Sequence, residues 1–112
     1  MAKLPRITRT GIERIKADNS LVEVLAERGI ETKRKGRHLF ALCPFHPDKD
    51  PSLVVTPAKG LYHCFGCGEA GDVIRFVERY EGYHFVDACL SLGRRAGYSP
   101  REILERDEVR AW

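Results

Sequence analysis

Residues 61 to 68 read LYHCFGCG, a Cys-x-x-Cys pair in a stretch without Lys, Arg, Asp or Glu. Such a pair is either a redox dithiol or one half of a metal site. A second pair of candidate ligands stands upstream, because residues 43 to 46 read CPFH and give Cys43 and His46 the same spacing. The chain therefore contains the pattern C-x2-H-x17-C-x2-C.

The four side chains of this pattern, Cys43, His46, Cys64 and Cys67, form a donor set that suits Zn²⁺. A two-residue gap lets both members of each pair point at one ion across a tight turn, and the long gap allows a hairpin to unite the pairs. Three thiolates and one imidazole fill a tetrahedral shell and leave no position for an activated water. The sequence therefore predicts one structural zinc ion.

The redox alternative fits the surrounding sequence less well. A thioredoxin-like pair opens a helix in a βαβ setting, whereas here a strand pattern precedes the pair and glycines surround it. Gly66 and Gly68 are expected to supply backbone freedom where turn amides fold back toward sulfur. His63 should point away from its neighbour Cys64 on the strand, and Cys89 is predicted to be a buried thiol on a helix.

Length and composition predict one globular module. The 112 residues, 43% hydrophobic and 31% charged, suffice for one domain of ordinary size. We expect a domain over residues 1 to 97 and a charged helical tail over residues 98 to 112. No run approaches the roughly 18 apolar residues of a membrane span, and the first residues lack a secretory signal, so a cytoplasmic location without membrane contact is expected.

Hydrophobic periodicity predicts the α+β class, with a small antiparallel sheet and flanking helices. Ser20 and Asp72 have the positions of helix N-caps. A last helix is signalled by Ser99, Pro100 and Glu102, but its body ILERDEVR is mostly charged and is expected to be loosely docked or solvent-facing. Helices are predicted near residues 10–18, 20–28, 73–80, 84–96 and from 99 onward, and strands near 30–35, 37–43, 52–56 and 61–64.

Charge and aromatic content point to nucleic acid in the first part of the chain. Residues 1 to 67 carry 12 Lys and Arg against 7 Asp and Glu, and residues 68 to 112 carry 7 against 9. Cations that follow a backbone, together with rings that stack on bases, are typical of single-strand binding, although a solvated turn above core aromatics is the alternative. The candidate residues are Lys33, Arg34, Lys35, Arg37, Lys49 and Lys59, with aromatic surfaces at Phe40, Tyr62 and Phe65.

The segments CPFH, DPS, YHCFGCGEAGD and the flanking KRKG together resemble the N-terminal zinc-binding domain of DnaG-type bacterial primases. The likeness runs from about Ile7 to Leu92. It implies a zinc ribbon that binds single-stranded template and helps to select where the RNA primer begins, with zinc as its cofactor. It also implies a partner polymerase domain of TOPRIM fold, in cis or in trans, and through it possible contact with a replicative helicase.

This chain departs from the family at one segment. The family usually reads Lys-Thr-Pro-Ser-Phe where residues 49 to 53 read KDPSL. Asp50 adds an acid near the expected phosphates and Leu53 removes an aromatic ring, so both changes bear on template affinity.

Catalysis by this chain alone is not expected, because primer synthesis requires carboxylates that hold Mg²⁺. Residues 81 to 88, EGYHFVDA, superficially resemble a TOPRIM segment, but they join two helical patterns and no Asp pair follows them. Three functions stay open: a template-binding module of a primase, a stand-alone DNA-binding zinc protein of a phage or mobile element, and a zinc-stabilised protein-interaction scaffold.

Overall fold

The chain folds around an antiparallel sheet, with helices before and after it in sequence. The structure is a computed structural model that describes residues 6 to 47 and 49 to 104. The elements in chain order are α1 (Arg9–Asp18), α2 (Leu21–Glu27), β1 (Lys33–Lys35), β2 (His38–Ala41), β3 (Leu53–Thr56), β4 (Leu61–Cys64), β5 (Ala70–Gly71), α3 (Val73–Glu81), α4 (Phe85–Arg95) and α5 (Pro100–Ile103). The predicted α+β class and antiparallel sheet are confirmed.

The sheet is a five-stranded meander in the order β1-β2-β3-β4-β5. Short turns join β1 to β2 and β3 to β4, as the turn residues of the sequence predict. Strand β5 was not predicted, because two residues, Ala70 and Gly71, carry no periodic pattern. It pairs with β4 through His63↔Ala70 and Tyr62↔Gly71 and leads directly into α3.

The two faces of the sheet differ in burial because successive side chains of a strand point to opposite sides. One face is the core face, where Leu39, Val55 and Tyr62 lie side by side on neighbouring strands and are buried. We call the other the open face; it is formed by His38, Phe40, Val54, Thr56, Leu61 and His63, which are exposed or only partly buried. The open face is therefore the solvent-accessible side of the sheet.

Side-chain caps begin the helices at the predicted positions. The Ser20 hydroxyl accepts the N–H of Glu23 at α2, and the Asp72 carboxylate accepts the N–H of Arg75 at α3. Each such cap stabilises a helix by about 1 kcal/mol. Gly82 ends α3, so the segment that begins at Glu81 is the predicted junction between two helices. Within the described residues no helix has the length and apolar character needed to pass through a membrane.

The core lies between the core face and the helices, with Phe76 of α3 at its centre. Phe76 is 0% exposed, and its ring lies 5.7 Å from that of Phe45, 5.9 Å from that of Tyr62 and 5.4 Å from that of Tyr80. Burying one such side chain stabilises a fold by about 1.5–3 kcal/mol. Cys89 of α4 is also wholly buried, as predicted, and burial raises the pKa of its thiol to about 12.

The short helix α5 packs against the rest of the domain, which differs from the expected loosely docked tail. Ile103 and Leu104 are 1% and 4% exposed. The carbonyl of Ile103 accepts hydrogen bonds from the Thr8 amide at 2.8 Å and the Thr8 hydroxyl at 3.2 Å, and Leu104 forms a bridge with Ile7. Residues 100–104 therefore pack on α1 and α4, although the sequence predicts a boundary after residue 97. The rest of the predicted tail, residues 105–112, lies outside the described residues.

Candidate metal centre

The four predicted ligands come together at one end of the sheet. Cys43 follows β2 and His46 lies in the turn after it, while Cys64 is the last residue of β4 and Cys67 lies in the next turn. Because β2 and β4 both pair antiparallel with β3, their C-terminal ends lie at the same end of the sheet. The four ligand atoms all lie within 4.8 Å of one another.

The spacing of these atoms fits a tetrahedral zinc ion. Zn–S bonds of about 2.3 Å and Zn–N bonds of about 2.0 Å predict edges of roughly 3.8 Å between two sulfurs and 3.5 Å between sulfur and nitrogen. Cys43 Sγ lies 3.9 Å from Cys67 Sγ, and His46 Nε2 lies 3.2 Å from Cys64 Sγ. His46 Nδ1 lies 2.8 Å from the carbonyl oxygen of Pro47, which holds Nδ1 as the donor and leaves Nε2 to bind metal.

Backbone amides around the site are arranged to hold thiolates. Cys64 Sγ accepts hydrogen bonds from the amides of Gly66 and Cys67 at 3.3 and 3.4 Å and contacts the Ser52 hydroxyl at 3.3 Å. Burial acts to raise the pKa of Cys64, but the Ser52 hydroxyl, these amides and His46 outweigh it and lower the pKa to about 6. Thiolate is the form that binds metal, so the local backbone favours the ligand state. For Cys43 burial dominates and raises the pKa, despite the amide of Phe45 at 3.4 Å from its sulfur.

Zinc is therefore the cofactor that this donor set holds, and the redox alternative does not fit. Cys64 ends strand β4 and Cys67 lies in the turn after it, so the pair does not stand at the start of a helix. The CPFH segment lies beside the pair. His63 is exposed on the open face, opposite Cys64, so it is not a ligand, as predicted. Within the described residues this is the one cluster of three or more metal-ligating side chains.

The two glycines of the second turn have different roles. A Cβ atom on Gly66 would lie 2.8 Å from Cε1 and Nε2 of His46, so this position requires a residue without a side chain. A Cβ atom on Gly68 would meet nothing within 4 Å, but this residue has φ of +81° and therefore requires the left-handed backbone conformation. Backbone freedom, the predicted reason for both glycines, therefore applies to Gly68 and not to Gly66.

We expect Gly66→Ala to weaken zinc binding by about tenfold to a hundredfold, the cost of disturbing a residue that supports a metal ligand. The added methyl group displaces the imidazole of His46 from the cluster. Zinc affinity is measured by competition with a chromophoric chelator. Gly68→Asn is the matched control, because Asn tolerates the left-handed conformation and its Cβ meets no atom; its affinity should stay near that of the wild type. Equal affinity of both variants would contradict the role given to Gly66.

The predicted nucleic-acid residues lie mainly around the open face. Lys33 pairs with Phe40 and Lys35 with His38 across β1 and β2, and Lys35 Nζ lies 5.4 Å from the centre of the Phe40 ring. Arg34 pairs with Leu39, so its side chain begins on the core side, at the edge of the sheet. The remaining cations are exposed in the turns and loops beside the sheet: Arg37, Lys49 and Lys59.

Tyr62 is a wrong prediction as a DNA-contacting ring. It is 3% exposed on the core face, where its ring meets Phe45 and Phe76 and its hydroxyl donates to Glu69 at 3.3 Å. Alternation along β4 explains the error, because Tyr62 shares a face with the buried ligand Cys64. The same alternation gives the open face to His63, for which the sequence predicted only that it is not a ligand.

The exposed ring at this end of the sheet is Phe65, between the two cysteine ligands. It is 74% exposed, and its ring meets that of His63 edge-on at 4.4 Å between centres. Its amide donates to the carbonyl of Ser52 at 2.9 Å, which anchors the turn to the loop before β3. Phe65 therefore offers an exposed aromatic surface, as the sequence predicted.

The departures at residues 50 and 53 have separate consequences. Leu53 is 0% exposed on the core face, so an aromatic at this position would enter the core and would not offer a stacking surface. Asp50 is exposed in the loop beside Pro51. The expectation of no catalysis by this chain assumed that it has no Asp-x-Asp pair, but Asp48 and Asp50 form one in the sequence. Asp48 lies outside the described residues, and no further carboxylate joins Asp50 in a metal cluster among the described residues.

Comparisons with known proteins agree with the fold and with the cluster. The family model of the CHC2 zinc finger matches residues 7–107. A DNA primase of Halalkalibacterium halodurans is 40% identical over 109 residues, which cover 92% of this chain and 18% of that protein. A DNA primase of Thermotoga maritima is 46% identical over 91 residues, which cover 81% of this chain and 16% of that protein.

A solved structure shows the same likeness in three dimensions. The crystal structure of the zinc-binding and RNA polymerase domains of the Aquifex aeolicus primase matches with a TM-score of 0.75 at 36% identity, over 88% of this chain and 24% of that chain. The chain thus spans less than a fifth of the two primases above. It belongs to the CHC2 zinc finger family, the zinc ribbon domains of DnaG-type DNA primases.

Proposed function

We propose that this module binds single-stranded template DNA through the open face and helps to select the start site of an RNA primer. The observation that carries the proposal is the combination of a sheet face that the described residues leave open, rings on or beside its strands, and cations along its edge. Phe40 and Phe65 supply rings, and Lys33, Lys35 and Lys59 supply charge. Single-strand binding proteins combine a basic groove with rings on which bases stack.

The charges are concentrated beside one end of the open face. Arg34, Arg37 and Lys59 line a pocket of ≈ 530 Å³ together with His38 and Thr56. Three cations around one concavity form a binding site for phosphate, because their attraction for an anion adds where water is partly displaced. The two open-face residues in this lining, His38 and Thr56, connect the cation pocket to the sheet surface.

Zinc serves this function by fixing the shape of the surface. Cys64 and Cys67 lie on either side of Phe65, and His63 precedes Cys64 on β4. When both cysteines bind the ion, the positions of the exposed His63 and Phe65 rings are therefore fixed. The ion itself stays on the other side of the strand from the DNA.

Primer synthesis in this proposal belongs to a polymerase domain, joined in cis or supplied in trans, because the chain spans only part of the length of its relatives. The module alone supplies no polymerase activity, and any contact with a replicative helicase runs through that partner. Because bacterial, phage or mobile-element DNA is replicated in the cytoplasm, the proposed template binding takes place there.

Adding the chain to a primase polymerase domain without its own zinc module should restore primer synthesis at defined start sites. Unchanged start sites and yield would contradict start-site selection.

Template binding is tested by titrating short single-stranded DNA at several salt concentrations. We expect the double variant Arg37→Ala/Lys59→Ala to bind less tightly and to lower the slope of log affinity against log salt by about 1.4, roughly 0.7 for each lost phosphate contact. Arg94→Ala/Arg101→Ala is the matched control, since both arginines are exposed on α4 and α5 and the change in net charge is equal. An equal slope in the two double variants would contradict the cation pocket. Absence of DNA binding at low salt would favour the protein-interaction scaffold instead.

A further inference from the structure

The open face contains a notch whose floor and walls are set by strand register. Its floor is β3, where Val54 and Thr56 are small and partly buried. Phe40 pairs with Val54 on one side, and Val54 pairs with His63 on the other. One step along the sheet, His38 Nδ1 lies 3.2 Å from Thr56 Oγ1, and Thr56 pairs with Leu61. Two rows of larger side chains therefore stand on either side of a low middle strand.

The size of the notch suits one flat ring. Neighbouring strands lie about 4.8 Å apart, so β2 and β4 are separated by about 10 Å. A ring inserted midway between them would lie about 5 Å from each wall, within the 4.5–7 Å range of centre separations for stacked or edge-to-face rings. The groove that contains the notch has a volume of ≈ 740 Å³, and its lining is mostly apolar, with Pro51 and Phe65 at its margin.

The walls are held in place by contacts within the protein. The His63 and Phe65 rings meet edge-on at 4.4 Å, and the Phe65 amide is anchored to Ser52. On the other wall, Lys35 Nζ lies 5.4 Å from the Phe40 ring centre. A ligand that enters therefore meets rings that are already oriented, which reduces the ordering cost of binding.

The cation pocket lies next to the notch. His38, Thr56 and Lys59 line both concavities, and Arg34 and Arg37 belong to the cation pocket. An apolar notch with ring walls beside a cluster of cations matches a nucleotide, whose flat base is apolar on its faces and whose phosphate is an anion. This charge complementarity distinguishes a nucleotide from an apolar peptide as the occupant.

We propose that the notch takes one unpaired base of single-stranded DNA, between Phe40 and the pair His63 and Phe65, with an adjacent phosphate at Arg37 and Lys59. The inference rests on the proposed template binding and adds the position of a base to it. A base in a duplex is stacked and paired, so it does not enter the notch. Preference for single strands therefore comes from the notch, whereas the cations attract single and double strands alike.

Two measurements test the base site. The first compares a short oligonucleotide with the same backbone carrying abasic sites, and the wild-type protein should bind the abasic strand about tenfold more weakly. The second uses Val54→Phe, which raises the floor and fills the notch without changing charge. This variant should bind the normal strand about as weakly as the wild type binds the abasic strand, and should no longer distinguish the two.

Val54→Ile is the matched control, because it keeps a β-branched side chain on the floor, and zinc content shows that each variant retains its fold. Phe40→Ala gives a second variant, which should lose the same discrimination by removing a wall. If the wild type binds normal and abasic strands equally, with binding that still depends on salt, the base site is wrong and template binding stands. If neither strand binds at low salt, both proposals fail.

Discussion

Removing zinc with a chelator at neutral pH should unfold the sheet, with a loss of stability on the order of 10 kcal/mol. Strands β2 and β4 each form hydrogen bonds with β3, and the four zinc ligands join the turns that follow these two strands. Without the ion, the sulfurs of Cys43 and Cys67, which lie 3.9 Å apart, lose the partner that holds the two turns together. Far-ultraviolet circular dichroism and thermal unfolding, followed during chelation and after addition of zinc, measure the effect.

Two histidine substitutions distinguish the loss of a metal ligand from the loss of a nearby histidine that does not bind metal. His46→Ala removes a ligand, whereas His63→Ala removes an exposed ring one residue from a ligand. We expect the first variant to lose zinc and the sheet signal, and the second to keep a zinc content of one ion per chain. An unchanged melting point in metal-free protein, or equal zinc loss in both variants, would contradict a structural ion.

The metal site and all elements except β5 could be predicted from the sequence, because each depends on residues that are close together in the chain. The C-x2-H and C-x2-C pairs each span one turn, and the caps at Ser20 and Asp72 lie within three residues of their partners. The faces of the sheet were also predictable in principle. Once Cys64 is a buried ligand, alternation assigns Tyr62 to the core face, and applying that rule to both neighbours would have avoided the wrong prediction.

Two other features carry no signal in the spacing or periodicity of the sequence. Gly66 requires its missing side chain only because the His46 imidazole, from another turn, lies against it. Strand β5 is two residues long and is defined by pairing with β4. The contact with His46 exists only once the two turns meet, and a strand of two residues is too short to show a periodic pattern.

The docking of α5 is the largest feature that local patterns missed, and it has a specific structural basis. Glycines on two helices leave room for Ile103: a Cβ on Gly11 of α1 would lie 2.9 Å from the Ile103 carbonyl oxygen, and one on Gly93 of α4 would lie 3.0 Å from Ile103 Cδ1. The charged residues that follow in the sequence suggested a solvent-facing helix. Two buried apolar side chains, Ile103 and Leu104, outweigh that pattern, because burial depends on the partner surface and not on the mean polarity of the segment.

We therefore expect Ile103→Ala to destabilise the zinc-loaded protein by about 2–5 kcal/mol, the usual cost of truncating a fully buried Ile. Domains of this size have a free energy of unfolding of about 5–15 kcal/mol, so the change is a large part of the total. The midpoint of urea unfolding, measured with zinc in excess, reports the effect.

Arg101→Ala is the control on the same short helix, since Arg101 is exposed and its loss should change stability by less than about 0.5 kcal/mol. Gly11→Ala approaches the same contact from the other side and should also destabilise, by about 1–3 kcal/mol, because the added methyl group pushes against the Ile103 backbone. If Ile103→Ala and Arg101→Ala have the same midpoint of urea unfolding, α5 lies outside the folding unit and the domain ends near residue 97. If instead only Ile103→Ala and Gly11→Ala lose stability, residues 100 to 104 belong to the same folding unit as α1 and α4.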